Sequence, residues 1–256
     1  MSTTGAFAKR AFDIAGAAVL LILAAPLLLV LAAAIRRQLR RPALFRQVRV
    51  VGSGRLAEIT KLRTLAPHSD QDAIWDPDTS WATPDQHCTS LGRFLRSTHL
   101  DELPQLVNVL RGEMSLVGPR PERPYFARQF GLEVPGYHGR NRMPAGLTGW
   151  AQVHGLNGDT SIHDRVQLDN HYIENWSFWL DLTILARTVA STVASTVATA
   201  AGSLTGSSRN APGSSGNAPA WPAAKRSPQE LTVARSELIA TGSEPVFSRT
   251  SHGGSR

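Results

Sequence analysis

The first strong pattern along the chain is an apolar run over residues 14–35, interrupted once by Pro26 near its middle. A run of this length matches a membrane-spanning helix, but an internal proline removes one backbone donor and bends the helix. Lys9-Arg10 precede the run and Arg36-Arg37 follow it, and positive residues favour the cytoplasmic side of a membrane. A re-entrant helix, which enters and leaves on one face, satisfies both flanks.

Two other interpretations of this segment stay open. It is long enough to be a straight spanning helix, and Ala32-Ala33-Ala34 resembles the cleavage site of a signal peptide behind a basic start. The signal peptide is disfavoured, because the run is long and arginines follow it closely. We therefore predict a membrane helix over residues 1–40, re-entrant or spanning.

The sequence that follows predicts a small, mainly helical α+β domain. Residues 42–64 contain short apolar stretches on either side of a Gly-Ser-Gly turn, a pattern typical of a β-hairpin. Apolar residues at helical spacing predict four helices: one around 91–95, and others over 98–110, 122–130 and 162–176. Thr98 and Asp101 match a capping box at the start of the second helix. The segments with little periodicity are predicted to be loops: 66–90 and 137–150.

Residues 178–193 form a last apolar element, and it begins beside Trp176, Phe178 and Trp179, residue types that favour the level of lipid headgroups. We expect an amphipathic helix lying on the membrane. Beyond it the chain is dominated by Gly, Ser, Ala, Pro and Arg, a composition typical of disorder. The predicted organisation is a membrane helix over 1–40, a folded domain over 41–190 and a low-complexity tail over 191–256.

Composition narrows the partners only in part. A net charge of +7 favours anions of every kind, including nucleic acid, anionic lipid and nucleotide phosphates. We expect no nucleic acid, because the chain has no groove-reading motif. The single cysteine, Cys88, excludes an intramolecular disulfide framework and a Cys-rich zinc site. The histidines lack the spacing of a metal site.

The residues most suggestive of chemistry are two adjacent carboxylates, Asp101 and Glu102, at the predicted start of the second helix. A helix N-terminus favours an ionised aspartate and also attracts phosphate. Attack on phosphorus needs nearby cations, and the candidates are Lys61, Arg63, Arg93, Arg96 and Arg120. Glu102 is the natural ligand for Mg²⁺. Taken alone, an acidic pair in a first helical turn is more often structural.

Several strings occur together and in order, and they carry a resemblance to a known family. The matching strings are Lys9-Arg10-Ala11-Phe12-Asp13, Lys61-Leu62-Arg63-Thr64, Leu91-Gly92-Arg93-Phe94-Leu95-Arg96, Leu100-Asp101-Glu102-Leu103-Pro104-Gln105-Leu106, Met114-Ser115-Leu116-Val117-Gly118-Pro119-Arg120-Pro121 and Gly146-Leu147-Thr148-Gly149-Trp150-Ala151-Gln152-Val153. Over residues 9–187 the chain resembles the bacterial sugar transferases, the monotopic phosphoglycosyl transferases that load a sugar phosphate onto polyprenyl phosphate in exopolysaccharide priming.

The resemblance implies a two-step reaction in the domain 41–190. Asp101 would attack the sugar-bound phosphorus of a UDP-sugar and release UMP, and polyprenyl phosphate would then displace the phosphosugar from the carboxylate. Glu102 would hold Mg²⁺, with Mn²⁺ as an alternative. The substrates would be bound by residues from four places in the sequence: Lys61, Arg63, Arg93, Arg96, Pro119, Arg120, Pro121 and Arg142.

The resemblance also implies a place in the cell, namely the bacterial inner membrane with the catalytic domain on the cytoplasmic face. Downstream glycosyltransferases are expected partners. We expect no regulation by a multi-span N-terminal region of the kind that longer family members carry. The competing hypothesis is a catalytically weak or silent membrane adaptor for glycan assembly, which the retained Asp101, Glu102, Arg96 and Arg120 argue against.

Overall fold

The structure is a computed structural model and describes residues 3–65, 88–158 and 160–204. It begins with helix α1, Thr3–Leu39, which contains Pro26. Within the described ranges, α1 is the one helix long and apolar enough to cross a membrane by length and composition. Many of its apolar side chains are exposed, and Ile22 and Leu23 are each 72% exposed. Such exposure suits lipid rather than water, so the predicted membrane-associated α+β character is confirmed at this level.

The predicted β-hairpin is confirmed. Strand β1, Leu44–Val50, pairs antiparallel with β2, Leu56–Leu62. The following loop prediction, 66–90, falls mostly on residues 66–87, which lie outside the described residues. Helix α2, Ser90–Ser97, confirms the helix predicted around 91–95, and the Thr89 hydroxyl caps it by accepting a 2.9 Å hydrogen bond from Gly92 N–H.

The second predicted helix differs from the structure in its first half. Leu100–Gln105 forms a 3₁₀ helix, and only Leu106–Arg111 is α-helical (α3). The capping box was wrong, because the Thr98 hydroxyl donates backwards to the Phe94 carbonyl at 2.8 Å and so ends α2. His99 then takes a left-handed conformation with φ 58°, which reverses the chain. The two carboxylates therefore lie in a 3₁₀ helix between α2 and α3.

The loop predicted over 137–150 was also wrong. It contains a 3₁₀ helix, Tyr137–Arg142, and strand β4, Gly146–Thr148, which pairs in parallel with β3, Ser115–Val117. Strands of three residues are too short to show alternation, so their pattern was invisible. The remaining short helices of this region are α4, Pro124–Glu133, α5, Trp150–Val153, and α6, Ile162–Glu174; α4 and α6 confirm two predicted helices.

The last apolar element is longer than predicted. Helix α7 spans Phe178–Leu204 and so continues past residue 190, where we placed the start of the tail. Residues 191–204, which we assigned to the tail, are therefore helical. Residues 205–256 lie outside the described residues, and the prediction of disorder stays untested there.

Both ends of α1 are attached to the same domain. On the N-terminal side, Lys9 Nζ lies 2.7 Å from Asp181 Oδ2 of α7, and the Leu116 N–H of β3 donates to Asp13 Oδ1 at 3.0 Å. On the C-terminal side, the buried side chain of Ile35 packs into a hydrophobic cluster with residues of β2 and α2. The segments before and after Pro26 therefore contact one folded unit.

Candidate functional site

Glu102 is held by two cations. Lys61 Nζ lies 2.7 Å from Glu102 Oε1, and Arg120 reaches both oxygens, with Nη2 2.7 Å from Oε1 and Nη1 3.2 Å from Oε2. Burial acts to raise the pKa of the Glu102 carboxyl, but Arg120 and Lys61 outweigh it and hold this pKa well below its ordinary value. Glu102 is therefore a charged anchor between β2 and the segment around Arg120.

Asp101, the neighbouring carboxylate, is in the opposite situation. It is 8% exposed, and within the described residues no hydrogen bond or ion pair ends on its carboxylate. Burial, and then the negative charge of Glu102, raise the pKa of Asp101 above its ordinary value, against the pull of Lys61 and Arg96. The structure thus differs from the expectation that a helix end would favour its ionised form. A buried, uncommitted carboxylate is a strong nucleophile once ionised.

Asn108 fixes the distance between the strand that carries Lys61 and the helix that follows the carboxylates. This side chain is fully buried in α3, accepts from Thr60 N–H at 3.2 Å, and donates to the Glu58 carbonyl at 2.8 Å. Asn108 therefore connects the edge of β2 to α3 through two hydrogen bonds. Because side chains alternate along a strand, this fixed register points Lys61 at the carboxylate pair.

Arg120 is presented by a segment that has no helix or strand of its own, residues 118–121. Its start is tied to β4, since Gly118 N–H donates to the Thr148 carbonyl at 2.9 Å and Gly146 N–H donates to the Pro119 carbonyl at 2.9 Å. A methyl group at Gly146 would overlap the Gly118 backbone nitrogen. Glycine is required there because two backbones approach each other closely.

The other predicted binding residues are divided by the structure. Arg96 lies close enough to favour the ionised form of Asp101, and its Nε donates to the Thr64 hydroxyl at 3.1 Å. Arg63, Arg93 and Arg142 instead bind the carbonyls of Pro42, Cys88 and Gly139, respectively. Arg142 also pairs with Glu174 on the surface, at 3.1 Å. The structure therefore gathers Lys61, Arg96 and Arg120 around the pair, while Arg63, Arg93 and Arg142 bind backbone carbonyls elsewhere.

Sequence reasoning missed a second layer of charges near Arg120, all buried except the partly buried Arg49. The layer comprises Arg49, Glu122, Arg140, Arg165 and Asp169. Burial lowers the pKa of Arg49 to about 10, although Glu122 opposes the change. No local motif marks these residues. The one available signal was the density of arginines around the Pro-Arg-Pro segment.

In this membrane-associated domain one carboxylate has no partner in the described part of the chain, and cations neutralise its neighbour. Such a pair is suited to covalent chemistry on a phosphorylated substrate. Comparison with known proteins agrees with this class. The family model "Bacterial sugar transferase" matches residues 4–195. The chain belongs to the bacterial sugar transferase family.

Relatives in that family show how far the match extends. The chain is 45% identical over 188 residues to a UDP-glucose:undecaprenyl-phosphate glucose-1-phosphate transferase of Caulobacter vibrioides, covering 72% of this chain and 68% of that protein. It is 37% identical over 185 residues to the protein of the same name in Escherichia coli, covering 71% of this chain and 39% of that protein. It is 38% identical over 186 residues to a UDP-N-acetylgalactosamine-undecaprenyl-phosphate N-acetylgalactosaminephosphotransferase of Aeromonas hydrophila, covering 72% and 43%. Except in the Caulobacter protein, these matches span less than half of the relative.

Proposed function

We propose that this protein transfers a sugar-1-phosphate from a UDP-sugar to polyprenyl phosphate and releases UMP. The observation that carries the proposal is the division of the carboxylate pair: among the described residues no group binds the Asp101 carboxylate, while Lys61 and Arg120 bind Glu102. The names of the relatives support the substrate class, since each name contains both a UDP-sugar and undecaprenyl phosphate. Those names include two different sugars, so the proposal leaves the donor sugar open.

In the first half-reaction, an Asp101 carboxylate oxygen attacks the sugar-bound phosphorus of the UDP-sugar. A bond forms between that oxygen and phosphorus, the phosphoanhydride bond breaks, and UMP leaves with the electron pair. The sugar phosphate stays on Asp101 as an acyl phosphate. The absence of a hydrogen bond on this carboxylate within the described residues means that none has to be broken before attack.

In the second half-reaction, a phosphate oxygen of polyprenyl phosphate attacks the same phosphorus. The bond to Asp101 breaks, the carboxylate is regenerated, and polyprenyl-diphosphate-sugar forms. UMP, which leaves in the first step, and polyprenyl phosphate, which attacks in the second, both carry phosphate charge, so one set of cations serves both steps. Lys61 and Arg120 carry that charge beside Asp101, and Arg96 adds a third cation.

A divalent cation fits the donor set. Three of the roughly four lone-pair positions of the Glu102 carboxylate are taken, two on Oε1 and one on Oε2, so one on Oε2 stays open. Mg²⁺ prefers one or two carboxylates together with substrate phosphate oxygens and waters. Glu102, with Asp101 beside it, would hold such an ion, which would neutralise phosphate charge when bound. Within the described residues no group of three or more His, Cys, Asp or Glu forms a dedicated cage.

Helix α1 is proposed to be re-entrant in the bacterial inner membrane, with the catalytic domain on the cytoplasmic face. A straight helix would separate the ends of the 14–35 run by about 30 Å, enough to cross the hydrocarbon layer. Yet Lys9, before the run, and Ile35, its last residue, both contact the same domain. The aromatic start of α7 supports contact with the same surface, since Trp179 is 77% exposed while Ile184 is buried.

Topology is tested by labelling introduced cysteines in spheroplasts with a membrane-impermeant maleimide, after Cys88→Ser removes the single native thiol. Thr4→Cys and Gln38→Cys lie on either side of the apolar run. A re-entrant helix leaves both unlabelled until the membrane is permeabilised. Labelling of only Thr4→Cys from outside would establish a spanning helix instead.

Activity is tested by measuring UMP release from a panel of UDP-sugars with the detergent-purified full chain, Mg²⁺ and polyprenyl phosphate. We expect one preferred sugar, and a phosphosugar adduct on Asp101 when the lipid is omitted. The Asp101→Asn protein should release no UMP and should form no phosphosugar adduct. A folded protein that releases no UMP from any donor would overturn the proposal and favour the silent adaptor, whose expected partners are downstream glycosyltransferases.

A further inference from the structure

Arg120 is placed by an unusual backbone. Its neighbours on both sides, Pro119 and Pro121, have no N–H to contribute to a strand or helix. The segment is instead fixed through its carbonyl oxygens, and each is taken by a different part of the molecule. Gly146 N–H binds the Pro119 carbonyl, and an arginine side chain, Arg140 Nη2, binds the carbonyl of Arg120 itself at 2.9 Å.

Arg140 is held firmly enough to serve as a fixed point. It is 2% exposed, and its Nε and Nη2 lie 3.0 and 2.8 Å from Asp169 Oδ2 on α6. Its Nη1 lies 3.5 Å from the Tyr137 hydroxyl. All three nitrogens of the guanidinium are therefore engaged, and Nη2 serves both Asp169 and the Arg120 carbonyl.

We infer that Arg140, fixed by Asp169, is a positioning residue for the transfer reaction: it sets the backbone of Arg120, and Arg120 in turn fixes the Glu102 carboxylate beside Asp101. This inference rests on the proposed function. A continuous series of contacts connects α6 with the carboxylate pair. Asp169 binds Arg140, Arg140 binds the Arg120 carbonyl, and the Arg120 side chain binds Glu102.

The choice of side chain is informative. A buried ion pair is weak evidence for stability, since apolar residues of similar volume often do as well. An arginine has a planar fork that can bind a carboxylate and a carbonyl at once in a fixed geometry, whereas a lysine has a single nitrogen. A function in placing Arg120 explains why an arginine lies there, and a small displacement of such a group can cost about 100-fold in rate.

The test is a double-mutant cycle on kcat/KM for UMP release, using the full chain in detergent. Arg140→Lys keeps the charge beside Asp169 but loses the hydrogen bond to the Arg120 carbonyl. It should lower kcat/KM at least tenfold in the otherwise unmodified protein. Arg120→Lys keeps one cation and some residual turnover. If Arg140 acts through Arg120, adding Arg140→Lys to Arg120→Lys should change kcat/KM by less than about twofold.

A matched control separates positioning from general damage to the core. Arg165 is also 2% exposed, and its contacts among the described residues include the Glu122 side chain and the Gly158 carbonyl. Arg165→Lys should change kcat/KM by the same factor with and without Arg120→Lys, whatever it does to the melting temperature. If Arg140→Lys does not fold, Asp169→Asn takes its place in the same cycle.

Two results would overturn the inference while leaving the proposed function intact. One is an Arg140→Lys protein with unchanged kcat/KM. The other is a double variant in which Arg140→Lys lowers kcat/KM by the same factor as it does in the otherwise unmodified protein. Failure of the unmodified protein to release UMP would instead remove the proposed function, and the inference with it.

Discussion

The unequal treatment of the two carboxylates predicts that their isosteric amides affect stability in opposite directions. Glu102→Gln removes the charge that pairs with Lys61 and Arg120, both at 2.7 Å, and leaves two largely buried cations side by side. The Glu102 side chain is 9% exposed and those of its partners are 20% and 27% exposed, so solvent replaces little of what is lost. Removing one partner of such a group costs about 3–5 kcal/mol, or on the order of 10 °C in melting temperature for a domain of this size.

Asp101→Asn should leave the melting temperature unchanged or raise it by a few degrees. The carboxylate has no hydrogen bond to lose within the described residues, and its charge is opposed by burial and by Glu102. Removing a disfavoured charge is worth on the order of 1 kcal/mol. The same substitution should abolish UMP release, which is the usual conflict between activity and stability at a reactive site.

The pH dependence of these two effects has opposite signs. The folded-state pKa of Glu102 lies below its ordinary value, so its stabilising contribution is present above pH 4.5 and is lost as the pH falls further. The folded-state pKa of Asp101 lies above its ordinary value of 3.8, so the carboxyl favours the fold at acid pH and opposes it as the pH rises past that raised value. The penalty of Glu102→Gln should therefore shrink at acid pH, and the gain from Asp101→Asn should grow towards neutrality.

The assay is thermal unfolding followed by tryptophan fluorescence in one detergent at a fixed scan rate, from pH 4 to pH 8, beside UMP release. A Glu102→Gln protein as stable as the unmodified one would refute the account of Glu102 as an anchor. An Asp101→Asn protein that loses as much stability as Glu102→Gln would show that the aspartate is bound after all.

Three further predictions follow from other contacts. Lys9→Met leaves the Asp181 carboxylate buried without a cation and should lower the melting temperature by an amount equivalent to about 3–5 kcal/mol. Gly146→Ala places a methyl group on the Gly118 backbone, so it should displace the segment that carries Arg120 and sharply reduce UMP release. The acid limb of kcat/KM should lie above pH 3.8, because Asp101 must be ionised to attack and its pKa is raised.

Each of these has a control or a contradicting result. Arg111→Met removes an exposed cation from α3 and should leave the melting temperature within about a degree of the unmodified protein. An unchanged melting temperature for Lys9→Met would mean that α1 is not fastened through Asp181. Normal turnover by Gly146→Ala, or an acid limb at or below pH 3.8, would contradict the corresponding geometry at Gly118 or Asp101.

Structural elements whose pattern lies within one continuous segment of the chain were predictable from the sequence. The length of α1, the β1–β2 hairpin and the helices α2, α4 and α6 follow from periods of apolar residues that are complete within each segment. The adjacency of Asp101 and Glu102 was equally plain. The capping box failed for an instructive reason: a threonine between two helices can cap the next one or end the previous one, and Thr98 ends α2.

Features that depend on contacts across the fold were not predictable. Arg140 meets Asp169 across 29 positions and the Arg120 carbonyl across 20, with no local pattern to mark either. Of the cations predicted to bind substrate, Arg93 binds the Cys88 carbonyl and Arg142 pairs with Glu174. Charge density indicated that arginines matter here, but only tertiary packing decides which of them face the site.

The difference in charge environment between Asp101 and Glu102 also arises from residues outside the pair. Asp101 and Glu102 are adjacent residues of one six-residue 3₁₀ helix, so their local conformation distinguishes them little. What separates them is that β2 brings Lys61 and the proline-flanked segment brings Arg120 to the same oxygen of Glu102, at 2.7 Å from each. Because both cations bind Glu102, the Asp101 carboxylate is buried without an ion pair to any residue that the structure describes, and its pKa is raised. A phosphorylated substrate that draws Lys61 and Arg120 towards its own charge would bring positive charge closer to the nucleophile, and so would favour ionised Asp101 when there is something to attack.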